Sequence, residues 1–473
     1  MKKGEIYTGL VERIDFPNKC IVIPDDKEEG EKVIVKNALP GQRVSFRLQK
    51  KRKGKYEGML VSVDEPSHNE LDTPKCPHFE KCGGCSYQNL SDEDELDLKR
   101  GQVERLLSGV LSEMGTDVDI EILQSPVTEG YRNKMEFSFG DEYKGGPLAL
   151  GMHKRGSFYD IVTVSDCKII PADFRVILKE TLDYFSERNI PYLHKNDHNG
   201  YLRHLLLRHS HASNETLIDL ITTSQDDKCG GDVLEGWKER LVSSEVSGKL
   251  QGSIAGILHT SNDSLADVVK DEGTEVLYGR DYITEKLLGL EFKITPFSFF
   301  QTNSLGAEVL YDTARSFVTG SKKDDTGKVG RVLYDLYSGT GTIAQILSPV
   351  ADEVIGVEIV EEAVRAAEEN ASLNGLDNTS FICGDVLKVL DDISEKPDYI
   401  ILDPPRDGIH PKALEKIIAY GVENLIYISC KPTSLARDLE VFHANGYKVK
   451  RIKCVSMFPK TVHVETVCLI GKS

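Results

Sequence analysis

No stretch of the 473-residue chain is apolar over the length needed for a signal peptide or a membrane span; the start, Met-Lys-Lys-Gly-Glu, leads into a short alternating segment. A cytoplasmic protein with no membrane association is expected. A disulfide framework is also missing. Ten cysteines are scattered along the chain with close spacing at one cluster only, a pattern unsuited to stapling in a reducing compartment. Positive charge is short as well: 76 Asp and Glu outweigh 58 Lys and Arg, for a net −18. Phosphate binding needs cations, so this balance opposes a nucleic-acid partner. The deficit is uneven, however. Residues 1 to 60 hold 14 Lys and Arg against 9 Asp and Glu, which leaves −23 on the remainder. Much of that positive charge lies in Arg47 to Lys55, RLQKKRKGK, between VSF and YEGMLVSV. A solvated hairpin tip and an RNA-contact strip account for such a run equally well. The short β-runs around it, broken by Gly and Pro, suggest a small barrel of the OB type. Length allows two or three domains with a sizeable core.

The richest stretch runs from Tyr334 to Thr466, where YDLYSGTGT, GVEIVEEAV, ILDPPRDG, YISCKPT and MFPKTVHVETV follow in order. An apolar strand, Val332 to Leu336, feeds Tyr337 and the turn Ser338-Gly339-Thr340-Gly341-Thr342, with a helix predicted from Ile343. Such glycines let backbone approach a ligand at a helix N-terminus. A second strand, Glu353 to Val357, ends at Glu358, 19 residues after Gly339, where an α/β nucleotide-binding fold places its ribose-binding acid. Taken alone, this turn also fits a nicotinamide-binding domain. Cys383-Gly384-Asp385 closes a third strand, with Asp385 placed to meet an adenine amine. Tyr399 to Leu402 forms a fourth strand ending in Asp403-Pro404-Pro405-Arg406, whose prolines forbid an immediate helix and make the strand end a rigid lip. A methyl-transfer site uses such a lip to hold the atom it modifies, and a dehydrogenase does not.

Cys76, Cys82 and Cys85 lie in a loop rich in Pro and Gly, and a closed metal site needs a fourth ligand, for which Cys167 is the best candidate. Four thiolates suit zinc, and an iron-sulfur cluster with no open iron at least as well.

With these motifs assembled, the chain resembles the RNA uracil-5-methyltransferase family, in particular its iron-sulfur-containing 23S ribosomal RNA branch. The likeness runs nearly end to end and includes Phe299-Phe300-Gln301-Thr302-Asn303. It implies an α/β protein of three parts: an N-terminal OB-like TRAM β-barrel for RNA binding over 1–65; a central α+β iron-sulfur domain over 66–90 and 126–294; and a Rossmann-like S-adenosylmethionine methyltransferase domain over 91–125 and 295–473. It implies a 4Fe-4S cluster on Cys76, Cys82, Cys85 and Cys167, which argues against the transfer-RNA branch. A monomer with no obligate protein partner is expected. A nonenzymatic RNA-binding assembly factor is the alternative of another class, opposed by intact Gln301, Asp403, Cys430 and Glu465.

Carbon 5 of uracil is a poor nucleophile until a group adds at carbon 6. Cys430 ends the apolar strand Asn424 to Ser429 beside Lys431, where its pKa is expected below about 8.5, and it matches the family nucleophile. Glu465 matches the family base that removes the carbon-5 proton, with His463 read as positional. The resemblance makes Asp403 catalytic and also cofactor-binding, together with Gln301, Tyr337, Gly339, Gly341, Glu358 and Asp385. Gln301 and Asp403 share the uracil edge and the cofactor amine in a division left open. Cys20, Cys383, Cys454, Cys468 and Cys229 read as buried small hydrophobes. Phe297, Phe299 and Phe300 read as core in preference to a stacking platform, with one of them left open as a ring facing the flipped base. Thr223 to Gly252 and Gly320 to Gly330 read as polar loops, and 91 to 125 begins with an amphipathic helix.

Overall fold

The computed structural model describes all residues except 26–30, 53–54, 226–231, 267, 321–329, 393–395 and 473. Cys229, most of the expected loop 320–330 and the tip of the basic run lie outside the described residues.

Five strands close a barrel in the order Ile6–Asp15, Lys19–Pro24, Val33–Val35, Lys55–Glu65 and Arg43–Arg52. Alternation turns Val11, Val22, Val33, Val44, Phe46 and Leu48 inward. Closure leaves no free edge. The basic run is part of this wall: Arg43–Arg52 pairs antiparallel with Lys55–Glu65 down to Arg52 opposite Lys55.

Seven strands form a second sheet in the order Thr274–Gly279, Ser253–Ser261, Glu215–Thr222, Leu202–Ser210, Lys134–Asp141, Leu148–His153 and Ile161–Thr163. Leu205, Leu207, Ile218 and Leu220 pack on Phe174, Ile177 and Leu178 of helix Ala172–Glu187. The expected loop 223–252 is corrected here, since it contains helices Val233–Val242 and Ser244–Ser247. Trp237 anchors the first: it is fully buried, and its indole N–H donates to Thr181 Oγ1 at 3.1 Å. A polar sequence concealed a helix whose burial depends on few apolar side chains.

The third sheet has eight strands in the order Thr379–Cys383, Ala351–Glu358, Gly330–Leu336, Tyr399–Leu402, Asn424–Ser429, Glu465–Lys472, Tyr447–Ser456 and Ile120–Gln124. The first five are parallel; Glu465–Lys472 runs antiparallel to both neighbours. Continuous apolar strands such as Tyr-Ile-Ile-Leu serve both faces: Ile400 and Leu402 join one core cluster, Tyr399 and Ile401 the other. Each such side chain contributes about 1.5–3 kcal/mol by leaving water. Strand order reverses between Gly330–Leu336 and Tyr399–Leu402, the point at which open α/β sheets bind ligands. Ser91 caps helix Asp92–Glu113 by accepting the Asp94 N–H at 3.0 Å, and four acids fill the first turn, where the helix dipole favours them. That helix packs Val103, Leu107 and Val110 against Leu435, Leu439 and Phe442 of helix Pro432–Ala444. Among the described residues no helix is long and apolar enough to cross a membrane.

Candidate active site

The cradle lies at the C-terminal ends of the parallel strands. Tyr337 takes a left-handed backbone, φ +70°, unusual for a residue with a side chain. It holds that conformation because the Tyr337 and Ser338 N–H groups both donate to the Val357 carbonyl at 3.0 Å. Gly339 (φ +55°) faces open space, whereas a Cβ on Gly341 (φ +72°) would stand 2.6 Å from the Phe381 ring. One glycine thus leaves room for a ligand and the other permits helix–strand packing. Glu358 accepts the Gly339 N–H at 3.0 Å through one oxygen and the Ile359 and Val360 N–H groups through the other. Asp385 accepts the Leu387 N–H at 2.9 Å and faces Tyr337, whose hydroxyl is pushed up to about 12 by burial and then by the Asp385 and Asp438 charges. Tyr337, Gly339, Gly341, Glu358 and Asp385 therefore share one cradle.

Cys430, Glu465 and Asp403 come together beside it. Ser429 pairs with Thr466 across the antiparallel strands, so one further step puts Cys430 opposite Glu465. Asp403 ends the other neighbour of the Asn424–Ser429 strand. Glu465 is 5% exposed, and its carboxyl is pushed up to about 8 by burial and next by Asp403, with Arg406 opposing. Burial alone raises Asp403 to about 7. The expected low pKa of Cys430 is corrected: burial, followed by Glu465 and Asp403, raises the thiol to about 11. Lys431 turns instead toward Asp407, at 3.7 Å, and Arg406 is the cation that acts on the thiol. Adjacency in sequence to a lysine did not bring its charge to the sulfur.

Two members of the site went unnoticed in the sequence. Asp335, fully buried, accepts the Ala344 N–H at 3.0 Å through Oδ2, while Oδ1 has no partner. Its carboxyl is held well above the usual range by burial and then by Asp403. It stood inside YDLYSG, and an acid in an apolar strand was the available signal. Tyr311, on helix Ser304–Thr319, is buried among Asp403, Asp335 and Glu465, and its hydroxyl bonds the Gln301 side chain. No local pattern marked it. Asn303 of the same motif caps that helix by accepting the Gly306 N–H and donates to the Met457 carbonyl at 2.6 Å. The phenylalanines divide: Phe300 is core, packed against Phe292, but Phe299 is 69% exposed, which corrects its reading as core. Its carbonyl accepts from Thr340 Oγ1 at 3.3 Å, which ties it to the cradle. His463 is lowered to about 4 by burial and by Arg406, Lys99 and Arg132, so it is neutral and weakly basic.

The four cysteines of the cluster are brought near one another. None is in a disulfide, and each of Cys82, Cys85 and Cys167 is acted on by the charge of at least one other member. Burial raises Cys85 to about 12 and Cys167 to about 11. Gly84 N–H and Gln88 Nε2 donate toward Cys82 and Cys85 sulfur, and Arg155 donates to the Cys85 carbonyl at 2.7 Å. Among the described residues no group of three or more His, Cys, Asp or Glu is arranged to hold a metal ion. Of the other cysteines, Cys20, Cys454 and Cys468 are buried, as expected; Cys383 is exposed and corrects its reading, because its strand lies at the sheet edge.

A family model described as tRNA (Uracil-5-)-methyltransferase matches residues 258–473. An uncharacterized RNA methyltransferase of Caldanaerobacter subterraneus is 46% identical, with 100% of both chains covered. Another from Clostridium acetobutylicum is 45% identical over 100% of this chain and 99% of its own. Among solved structures, the Pyrococcus abyssi tRNA (uracil-54, C5)-methyltransferase in complex with S-adenosyl-L-homocysteine matches with a TM-score of 0.73 over 98% of this chain and 100% of that one. At 23% identity that likeness is one of fold. Full-length identity to RNA methyltransferases, on a fold with this cradle at its strand ends, makes the chain a member of the RNA uracil-5-methyltransferase family, which methylates RNA using S-adenosylmethionine.

Proposed function

We propose that the protein makes 5-methyluridine in 23S ribosomal RNA through a covalent Cys430 adduct. The observation that carries this is the strand register that sets Glu465 opposite Cys430, with Asp403 on the other side. The open face at Gly339 and the unpartnered Asp335 oxygen suit a polar, cationic cofactor. Tyr337, Gly339, Gly341, Glu358, Asp385, Gln301 and Asp403 would hold S-adenosylmethionine, which when bound supplies an electrophilic methyl group. The chain's own groups do the remaining chemistry. Cys430 loses its thiol proton to solvent and its Sγ electron pair bonds uracil carbon 6, which displaces the C5=C6 pair toward the carbon-4 carbonyl and makes carbon 5 nucleophilic. After methylation Glu465 takes the carbon-5 proton, the C5–H pair re-forms the double bond, and the S–C6 bond breaks to release the thiolate. The target must be unstacked first, and exposed Phe299 offers its ring as a platform.

By resemblance Cys76, Cys82, Cys85 and Cys167, four free thiols near one another, would hold a 4Fe-4S cluster with a folding role. The cluster carries the choice of ribosomal RNA, since by resemblance the transfer-RNA branch lacks it. A transfer-RNA substrate is the second reading, favoured by the names of the matching family model and of the Pyrococcus abyssi protein. Mapping 5-methyluridine in 23S and transfer RNA from cells with and without the protein decides between them. One 23S uridine is expected to lose its methyl group; loss confined to transfer RNA overturns the substrate.

Turnover is expected to rise with pH and to reach no plateau before about pH 8. Glu465 acts as the carboxylate, and with its pKa near 8 the active fraction falls about tenfold per unit below pH 7. The raised pKa values of Asp403 and Glu465 have a linked effect on the cofactor-free fold. Their contribution to stability is fully present below the unfolded carboxylate pKa and is lost as pH rises through about 7 and 8. A pH–rate profile flat from pH 6 upward rules out Glu465 as the base.

A further inference from the structure

The turn before Glu465 is held more firmly than a surface hairpin needs. Lys460 lies between strands Tyr447–Ser456 and Glu465–Lys472, is 2% exposed, and takes φ +65°. A residue with a side chain keeps that backbone only where its surroundings over-determine it. Here they do. The Lys460 N–H donates to Glu95 at 2.7 Å, and its carbonyl accepts the Ser86 and Tyr87 N–H groups at 2.9 and 3.1 Å. The ammonium meets Asp92 at 2.6 Å, the Leu90 carbonyl at 2.9 Å and Glu95 at 3.2 Å. Lys99, with no exposure, shares Glu95 at 2.7 Å and donates to Ser456 Oγ and to the Phe458 carbonyl. The Pro459 carbonyl accepts the Tyr131 hydroxyl at 2.8 Å. Three successive carbonyls, 458 to 460, are therefore gripped from outside the hairpin.

Lys460 and Lys99 share buried Glu95, while Asp92, about a third exposed, also pairs with Lys75 at 3.3 Å; such low exposure leaves Lys460 unable to serve as a phosphate contact. Buried ion pairs add little stability against apolar replacements, and their best-attested use is to fix register. Ser86 and Tyr87 directly follow Cys85. We propose that Lys460 is a positioning residue: it locks the turn so that Glu465 stays opposite Cys430, and it joins that placement mechanically to the Cys76–Cys85 loop. This rests on the reading that Glu465 removes the carbon-5 proton.

The test separates methyl transfer from proton removal. Total RNA from cells lacking the protein, tritiated at uridine carbon 5, is incubated under single-turnover conditions with methyl-labelled S-adenosylmethionine. Wild-type protein should gain one methyl per tritium released. Lys460→Gln should gain methyl at close to the wild-type rate while tritium release trails by tenfold or more and a covalent protein–RNA complex builds up. Glu95→Gln combined with Lys460→Gln removes one charge of each sign and should show the same lag where the single variant folds poorly. A purely structural role lowers both counts together, so equal counts in either folded variant overturn the proposal. Wild-type amide exchange needs no variant: Ser86 and Tyr87 should open together with Thr466, and exchange tenfold faster than Thr466 overturns it. Wild-type protein that transfers no methyl group to this RNA refutes the underlying function, a result distinct from equal counts.

Discussion

Glu465→Gln is expected to accumulate a protein–RNA complex that survives denaturant and already carries the new methyl group, whereas Cys430→Ala should form neither complex nor product. Removing a general base costs about 10²–10⁴-fold in turnover. In the glutamine variant that loss falls after methyl transfer. The thiol still adds, because removing Glu465 takes away one of the two carboxylates that raise it and leaves Arg406 acting in its favour. Carbon 5 then holds both methyl and proton, and the sulfur cannot leave. In the alanine variant no other group opens carbon 5, so RNA and cofactor bind without reaction. Gel analysis after denaturation, with label in the methyl group, reads both outcomes. Normal turnover by Glu465→Gln assigns the base elsewhere, and His463, neutral and weakly basic, would be the next group to replace. Methylation by Cys430→Ala rejects the covalent route altogether.

Protein purified without oxygen is expected to be brown and to contain about four irons per chain. Cys167→Ser should lose iron and solubility together. Cys167, with Cys82 and Cys85 packed against it, lines a core that includes Phe174, Ile177 and Leu178, so a vacated ligand set there exposes the packing of the seven-stranded sheet. Burial holds Cys85 and Cys167 as protonated thiols, so loading must release protons and should weaken as pH falls. Metal analysis reads the result directly. One zinc per chain with no iron removes the iron-sulfur assignment, and unchanged iron in Cys167→Ser moves the fourth ligand elsewhere.

The cradle was legible in the sequence because its parts are local. Tyr337, Gly339 and Gly341 lie within five residues, and Glu358, Asp385, Asp403 and Cys430 each end a strand that an apolar run announces. The barrel showed itself through short β-runs broken by Gly and Pro. The sheet order, the exposure of Phe299 and the helix around Trp237 did not, because burial there is set by elements distant in sequence. Electrostatics was the least legible property. Lys431 next to Cys430 implied an acidic thiol, but side-chain direction sends that lysine to Asp407, and two buried carboxylates push the thiol the other way. Asp335 and Tyr311 join the site only because a helix and a strand meet there. No local pattern marked Lys460, Glu95 or Lys99; folding buries the two lysines on the one glutamate, with Lys99 bonded to Ser456 over 350 residues away in the chain. The sequence determined which groups stand at the strand ends; the tertiary structure alone decided their neighbours, because a buried charge takes its pKa and its partners from whatever the fold packs against it.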